Sequence, residues 1–503
     1  MGLASVYSRA AVGLAAPLVT VEVNLSPGLP RFSIVGLPET AVRESRDRVK
    51  AAIVNSGFEF PQWAITAHLG PADLPKHGGR YDLAIALGIL AASAQVPGDA
   101  LAPYEFLGEL GLSGSLRGVR AVLPAALETA AAGRSLIVAT DNAAEAALSS
   151  QLTVLPATRL LDVAGHFRDA PLAALDDDMP RQVASDGGPD LADLGGQPRA
   201  RRALEIAAAG GHNLLLVGPP GGGKSLLARC LPGVLPLLTE SEALEHAAVE
   251  SLSGAGVDVR RFRQRPFRAP HHTASAAALV GGGAEPRPGE ASRAHLGVLF
   301  LDELAEFPRH VLEALREPLE VGHLTISRAA GQIDFPADVM LVAAMNPCPC
   351  GYAGDTDVDC RCTPDQIGRY RGRLSGPLLD RIDLNVEMPR VTYQELSGAR
   401  GRAESSAAVA ARVAAARERQ LARQPQLNAS LPQALRSRHC RLDDAGHRLL
   451  DRAMDEYALS ARAVERTLKV ARSIADLVAT KAVEAVHLAE ALTFREAARR
   501  KRC

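Results

Sequence analysis

Gly218-Pro219-Pro220-Gly221-Gly222-Gly223-Lys224-Ser225 reads G-x-x-x-x-G-K-S. Glycines at these positions let backbone N–H groups converge on phosphate oxygens, a lysine reaches the terminal phosphates, and the hydroxyl holds Mg²⁺. The flanks suit the task. Asn213 to Val217 is a short apolar run of strand type, and Leu226-Leu227-Ala228-Arg229 opens a helix whose N-terminus favours negative charge. Gly218 to Leu226 is therefore predicted to cradle ATP, with Lys224 on the β- and γ-phosphates and Ser225 on Mg²⁺.

Two more strands end in chemistry. Gly297-Val298-Leu299-Phe300-Leu301 leads into Asp302-Glu303, a Walker B pattern. There Asp302 is expected in the Mg²⁺ shell, and Glu303 to orient and polarise the attacking water. Val339 to Ala344 is a further apolar strand ending near Asn346, whose amide could face the γ-phosphate. Two cysteine pairs follow, Cys348-Pro349-Cys350 and Cys360-Arg361-Cys362. Four thiolates joined by a glycine-containing loop suit a tetrahedral, structural Zn²⁺, and leave no open position for catalysis. Unliganded thiols are the alternative.

Two basic stretches could meet nucleic acid. Residues 252–292 contain Arg260, Arg261, Arg263, Arg265 and Arg268, with Phe262 and Phe267 interleaved. Such cations neutralise phosphates and such rings stack on bases, though subunit packing or a solvated face explains the same pattern. Gly322 to Ile333 alternates about a central turn and predicts a hairpin with Arg328 near its tip. His271 and His272 are read as structural or phosphate-facing rather than as metal ligands.

The elements that position these groups divide the chain as 1–175, a polar and acidic linker at 176–192, an alternating strand–helix region at 193–390, and an Ala- and Arg-rich helical region at 391–503 interrupted at Pro425 and Pro432. At 503 residues there is room for about three domains. The net charge of −1 gives no whole-molecule signal for nucleic acid, so local patches must carry that claim. No apolar run reaches the roughly 18 residues of a membrane span. Met1 to Val12 lacks a basic start before an apolar run, so a cytoplasmic location and no membrane partner are expected.

Resemblance adds to this. Pro75-Lys76-His77-Gly78-Gly79-Arg80-Tyr81-Asp82 and the stretch Gly108 to Gly118 are similar to segments of Lon-type proteases, but Arg80 stands at the serine position. No lysine occurs between Lys76 and Lys224, so a Lon-protease-like α+β domain without its dyad is expected, as a scaffold or interaction module. The remainder resembles an AAA+ P-loop α/β core with a C-terminal α-helical lid. In that resemblance Asn346 is the sensor 1 position, Arg381 in Ser375 to Leu384 is the arginine finger, and Arg462 in Leu459 to Val464 is the sensor 2 arginine. Whether Arg462 serves its own subunit or the next stays open.

Arg265 to His272, Pro288-Gly289-Glu290, Arg316-Glu317-Pro318-Leu319-Glu320 and Asn346 to Gly351, together with the front domain, resemble the YifB/ComM family of magnesium-chelatase-like AAA+ ATPases over nearly the whole chain. The resemblance implies a homo-hexameric ring and, for its ComM members, a DNA helicase driving branch migration in natural transformation, with recombinase-pathway proteins as possible partners. The competing reading is a chelatase-like ATPase that remodels a partner protein. Arginine-rich segments favour the first, and the chain carries no D-x-S-x-S run of an integrin-type metal site. A scaffold that binds ATP without turnover is disfavoured by the intact Lys224, Asp302, Glu303, Asn346, Arg381 and Arg462.

Overall fold

The computed structural model describes residues 2–37, 40–175, 188–254, 256–283, 286–328, 331–392 and 404–496. Most of the expected linker, 176–192, lies outside them. Two units divide the chain: Met1–Ala184 with Glu240–Phe262, and Ser185–Thr239 with Arg263–Cys503.

The first unit is built on alternation. Strand β1 (Gly2–Arg9) pairs antiparallel with β2 (Leu18–Ser26), where Val19, Val21, Val23 and Leu25 point to one buried face. With β3 (Arg31–Val35), β4 (Ala64–Gly70), β5 (Tyr104–Leu107), β8 (Ser135–Ala139) and β9 (Val154–Ala157) they form a mixed sheet ordered β3-β4-β2-β1-β5-β8-β9. A small hairpin, β6 (Glu109–Leu110) with β7 (Leu116–Arg117), stands apart. The helix Asp82–Ala92 is apolar nearly all round and buried from Asp82 through Leu90, as expected of a helix inside a core. Gly88 lets it approach the sheet: a Cβ there would sit 2.6 Å from Val23 Cγ2.

In the segment 75–82 the charged side chains are held by neighbouring backbone and side-chain groups. Lys76 is buried and donates to the Pro71 carbonyl. Arg80 is also buried, donates to the Ala121 carbonyl at 3.4 Å, and has its pKa lowered by burial. Asp82 accepts from Arg48 Nε at 2.8 Å and from Ser45 Oγ. These are structural jobs.

One helix departs from the linear division. Glu240–Ser253 follows the P-loop in sequence yet belongs to the first unit. Ser251 fastens it there: its carbonyl accepts from Ala121 N at 3.1 Å, its Oγ accepts from Leu123 N at 3.3 Å, and that Oγ donates to Glu145. The arginine-rich stretch 252–292 is thereby split at Phe262.

The second unit carries an all-parallel sheet in the order β11-β12-β15-β10-β16, made of β10 (Leu214–Val217), β11 (Phe267–Arg268), β12 (Val298–Leu301), β15 (Met340–Met345) and β16 (Leu384–Glu387). Both faces are covered, so its strands are continuous apolar runs. Leu214, Leu216, Val342 and Ala344 face a core shared with the helices Pro198–Gly210, Ser406–Arg423 and Ala461–Leu477. Leu215, Leu341, Ala343 and Met345 face the opposite core. Between β12 and β15 the predicted hairpin appears as β13 (His323–Arg328) and β14 (Gly331–Pro336), with Arg328 opposite Gly331. After residue 404 the described chain is helical, and the helix Gln433–His439 starts directly after Pro432. No helix among the described residues is long and apolar enough to cross a membrane.

Candidate functional site

The P-loop leaves the C-terminal end of β10, a strand with parallel neighbours on both sides. Gly221 and Gly223 hold φ values of 78° and 85°, where a side chain is strained. Gly218 is needed for a different reason, since a Cβ would lie 2.2 Å from the Met388 carbonyl oxygen. Lys224 opens the following helix and is 8% exposed. Its Nζ donates to the carbonyls of Gly218 (2.7 Å) and Pro219 (2.9 Å) and to Asn346 Oδ1 (3.2 Å). Burial lowers its pKa, against the opposing pull of Asp302 and Glu303.

β12 and β15 end beside that loop. Ser225 Oγ donates to Asp302 Oδ2 at 2.6 Å, so a hydroxyl and a carboxylate converge as a hard divalent cation requires. The two oxygens are the atoms that would hold Mg²⁺. The Glu303 backbone is left-handed, at φ 51°, and its side chain is exposed. His272 Nδ1 lies 3.1 Å from Glu303 Oε2, and its ring sits edge-on to Phe307. In the sequence, His272 is marked by nothing more than a histidine pair in a loop upstream of Walker B.

The cysteines converge as well. The four Sγ atoms of Cys348, Cys350, Cys360 and Cys362 all lie within 4.8 Å of one another. Separations of 3.3, 3.7 and 3.6 Å are recorded for Cys348–Cys350, Cys348–Cys360 and Cys350–Cys360. A tetrahedral site with Zn–S arms of about 2.3 Å has edges of about 3.8 Å, so the set fits Zn²⁺. Hydrogen bonding from the Tyr352 backbone pulls the Cys350 thiol down to about 6. This loop touches the P-loop: a Cβ on Gly351, at φ 90°, would lie 2.7 Å from Pro220 Cδ.

Arg381 and Arg462 are elsewhere. Both line a cavity of about 310 Å³ with Leu319, Glu320, Arg466 and Lys469. An adjoining cavity reaches Asn213, Val339 and Asp383, the residues that precede β10, β15 and β16. The two arginines thus sit where the strands begin, and the P-loop sits where β10 ends. Four residues of strand, at about 3.3 Å each, put roughly 13 Å between these edges. Arg381 does not pair with Asp380 or Asp383: its guanidinium pairs with Glu320 and donates to the Pro377 carbonyl at 2.8 Å. Asp383 is taken by Arg466 at 2.9 Å; burial opposes its charge, but His212 and Arg466 hold its pKa well below the usual carboxylate range.

The basic stretch is largely committed to local packing. Arg263 Nε donates to the Leu238 carbonyl (3.0 Å), Arg265 Nε to Pro236 (2.7 Å), and Arg268 forms a two-pronged pair with Glu290 (2.7 and 2.9 Å). Phe262 is buried and Phe267 stacks on Phe300. Arg260 is exposed beside Asp258, and Arg261 is exposed too; both fall in the first unit.

The family described as magnesium chelatase, subunit ChlI, matches residues 190–396; subunit ChlI of Mg-chelatase matches 21–142; and the ChlI C-terminal family matches 403–495. The chain is 51% identical to the uncharacterized protein YifB of Salmonella typhimurium over 98% of this chain and 97% of that one. It is 50% identical to the competence protein ComM of Haemophilus influenzae over 98% of each. The chain belongs to the YifB/ComM family of magnesium-chelatase-like proteins. Membership makes it an AAA+-type ATPase. A magnesium-chelatase 38 kDa subunit of Cereibacter sphaeroides is 26% identical over 38% of this chain and 56% of its own length.

Proposed function

We infer that this chain is an ATP-hydrolysing ring motor acting on DNA, a helicase that moves branched recombination intermediates during uptake of foreign DNA. One observation carries the motor reading: Lys224, Ser225, Asp302 and Asn346 meet at one edge of the sheet, while Arg381 and Arg462 meet at the other. A transferring phosphoryl group needs cationic stabilisation, and the arginines suited to give it lie away from their own P-loop. A neighbouring subunit in a head-to-tail ring, six-membered by family, supplies them. In this reading Arg462 acts on the next subunit's nucleotide.

Residues of this chain would divide the work as follows. The P-loop backbone and Lys224 would bind the phosphates, and Ser225 and Asp302 would hold Mg²⁺, which when bound would supply positive charge to them. Glu303 takes a proton from the attacking water, and Asn346 fixes its line of approach. The cysteine loop, zinc-bound, braces Asn346 and Pro220. DNA is assigned to the hairpin β13–β14 with Arg328 and to the exposed Arg260, Arg261 and Arg263; Arg268 weighs less because Glu290 holds it. The competence relative supports DNA as the substrate.

A second reading has specific support from the chelatase relatives: an ATPase that remodels a partner protein. ATP hydrolysis by the full chain, with and without four-way-junction DNA, separates them. Stimulation by junctions is expected; a rate indifferent to junction, forked and single-stranded DNA would return the assignment to protein remodelling.

A further inference from the structure

We propose that Glu320 is a positioning residue that holds the finger arginine on its own subunit and ties its release to the hairpin β13–β14. This rests on the shared-cleft reading above. The Arg381 side chain is 9% exposed and that of Glu320 is 61% exposed. Arg381 Nε is buried with no hydrogen-bond partner. The Glu320 carboxylate is mostly in water and free to turn, but the buried guanidinium it leaves needs another anion. A phosphoryl oxyanion supplies one, taking an arginine through two charge-assisted bonds. The backbone behind Arg381 is fixed, because its carbonyl accepts from Asn213 Nδ2 at 2.9 Å. What changes partner is the side chain alone.

Glu320 lies on the short helix Pro318–Val321, which runs through Gly322 into β13. Gly322 locks the two together: its N–H donates to the Pro318 carbonyl at 2.9 Å, and its carbonyl accepts from Ala337 N, just past β14, at 2.8 Å. Its φ of 76° favours glycine at this junction. A load on the hairpin is thus passed to the helix that carries Glu320. Leu319 lines the cavity shared with Arg381 and Arg462, so the same helix also shapes the site the neighbouring nucleotide enters. Engagement of the hairpin by a strand draws Glu320 away and frees Arg381 for the next subunit's phosphate.

The test is steady-state ATP hydrolysis by the full chain, with and without forked DNA, for wild type, Glu320→Gln, Glu320→Asp, Arg381→Ala and the Glu320→Gln/Arg381→Ala double variant. Glu320→Gln is expected to raise the DNA-free kcat about two- to fivefold with KM unchanged, and to shrink the stimulation by DNA by the same factor. Glu320→Asp, with the charge on a shorter arm, gives a smaller rise in the same direction, and the rise is absent in the double variant. A wild-type rate that survives Arg381→Ala overturns the shared cleft and the latch together. A rate that depends on Arg381 but is unchanged or lowered by Glu320→Gln overturns the latch alone, as does a rise that persists in the double variant.

Discussion

Asp302 and Glu303 are neighbours in different surroundings, and the different tasks proposed for them rest on that difference. Asp302 is tied to Ser225 Oγ at 2.6 Å and to the Glu303 amide at 2.9 Å, so it is committed to the metal side. Glu303, on a left-handed backbone, is exposed to solvent with the His272 ring against it. A carboxylate placed this way binds no phosphate; it is suited to take a proton. Glu303→Gln is therefore expected to keep ADP and ATP affinity and to lower kcat by about 10²–10⁴, the usual range for a general base. Binding of a fluorescent nucleotide beside single-turnover hydrolysis checks it, and retained hydrolysis would move the proton-accepting role to another group.

At the scale of elements, two contacts make sharp claims. The cysteine loop meets the P-loop through Gly351 and Pro220, with Asn346 between them in sequence and bonded to Lys224. Gly351→Ala adds a methyl group into Pro220 and strains a positive φ. The expected result is nucleotide affinity weakened by about tenfold with zinc content unchanged, since the ligands are untouched; titration with labelled ADP and metal analysis decide it. In the helical region, Asp476 accepts from Arg423 (2.7 Å), Arg472 (2.8 Å) and Asn428 (2.8 Å). Burial favours its neutral form, but the bonds from Arg423 and the charge of Arg472 prevail and hold its pKa below the ordinary 3.8. A carboxylate with a depressed folded-state pKa contributes fully above its unfolded value, and that contribution is lost as pH falls through the folded value. The unfolding midpoint is thus expected to drop on acidification below about pH 4. Asp476→Asn flattens that dependence, and at neutral pH it costs about 3–5 kcal/mol because Arg472 is left buried without its counter-charge. A denaturant series from neutral to acid pH measures both effects.

These elements also show what was legible in the chain. The P-loop, Walker B and the cysteine pairs are local: the chemistry needs fixed spacing over a few residues, so spacing reveals them. The strands under them were legible from apolar runs. Pairs joined by folding were not. Ser251 meets Glu145, His272 meets Glu303, and Arg381 meets Glu320 across long stretches of sequence, and no periodicity links them. For the same reason Arg263 and Arg268 read as a basic patch, since the carbonyl and carboxylate that hold them come from distant elements.

At the scale of the molecule, the division of the site between two edges of one sheet has a consequence that single variants do not reach. Lys224→Ala removes the phosphate cradle, and Arg381→Ala removes the cation offered from the other edge. If both acted within one chain, mixing the two variants would restore nothing, because each chain would carry one dead site. If the cleft is shared, a Lys224→Ala subunit still offers its Arg381 to an Arg381→Ala neighbour whose P-loop is intact. In a head-to-tail ring of equally mixed subunits about a quarter of the interfaces are then complete. Each variant alone is expected to be inactive, and the mixture, after subunit exchange, to recover hydrolysis up to about a quarter of the wild-type rate, or less where sites fire in concert. The same test run with Arg462→Ala in place of Arg381→Ala assigns the second arginine, since recovery there requires that Arg462 also serve the adjacent subunit. A mixture as inactive as its components, under conditions where labelled subunits demonstrably exchange, would leave both arginines with their own chain and remove the reason for a ring.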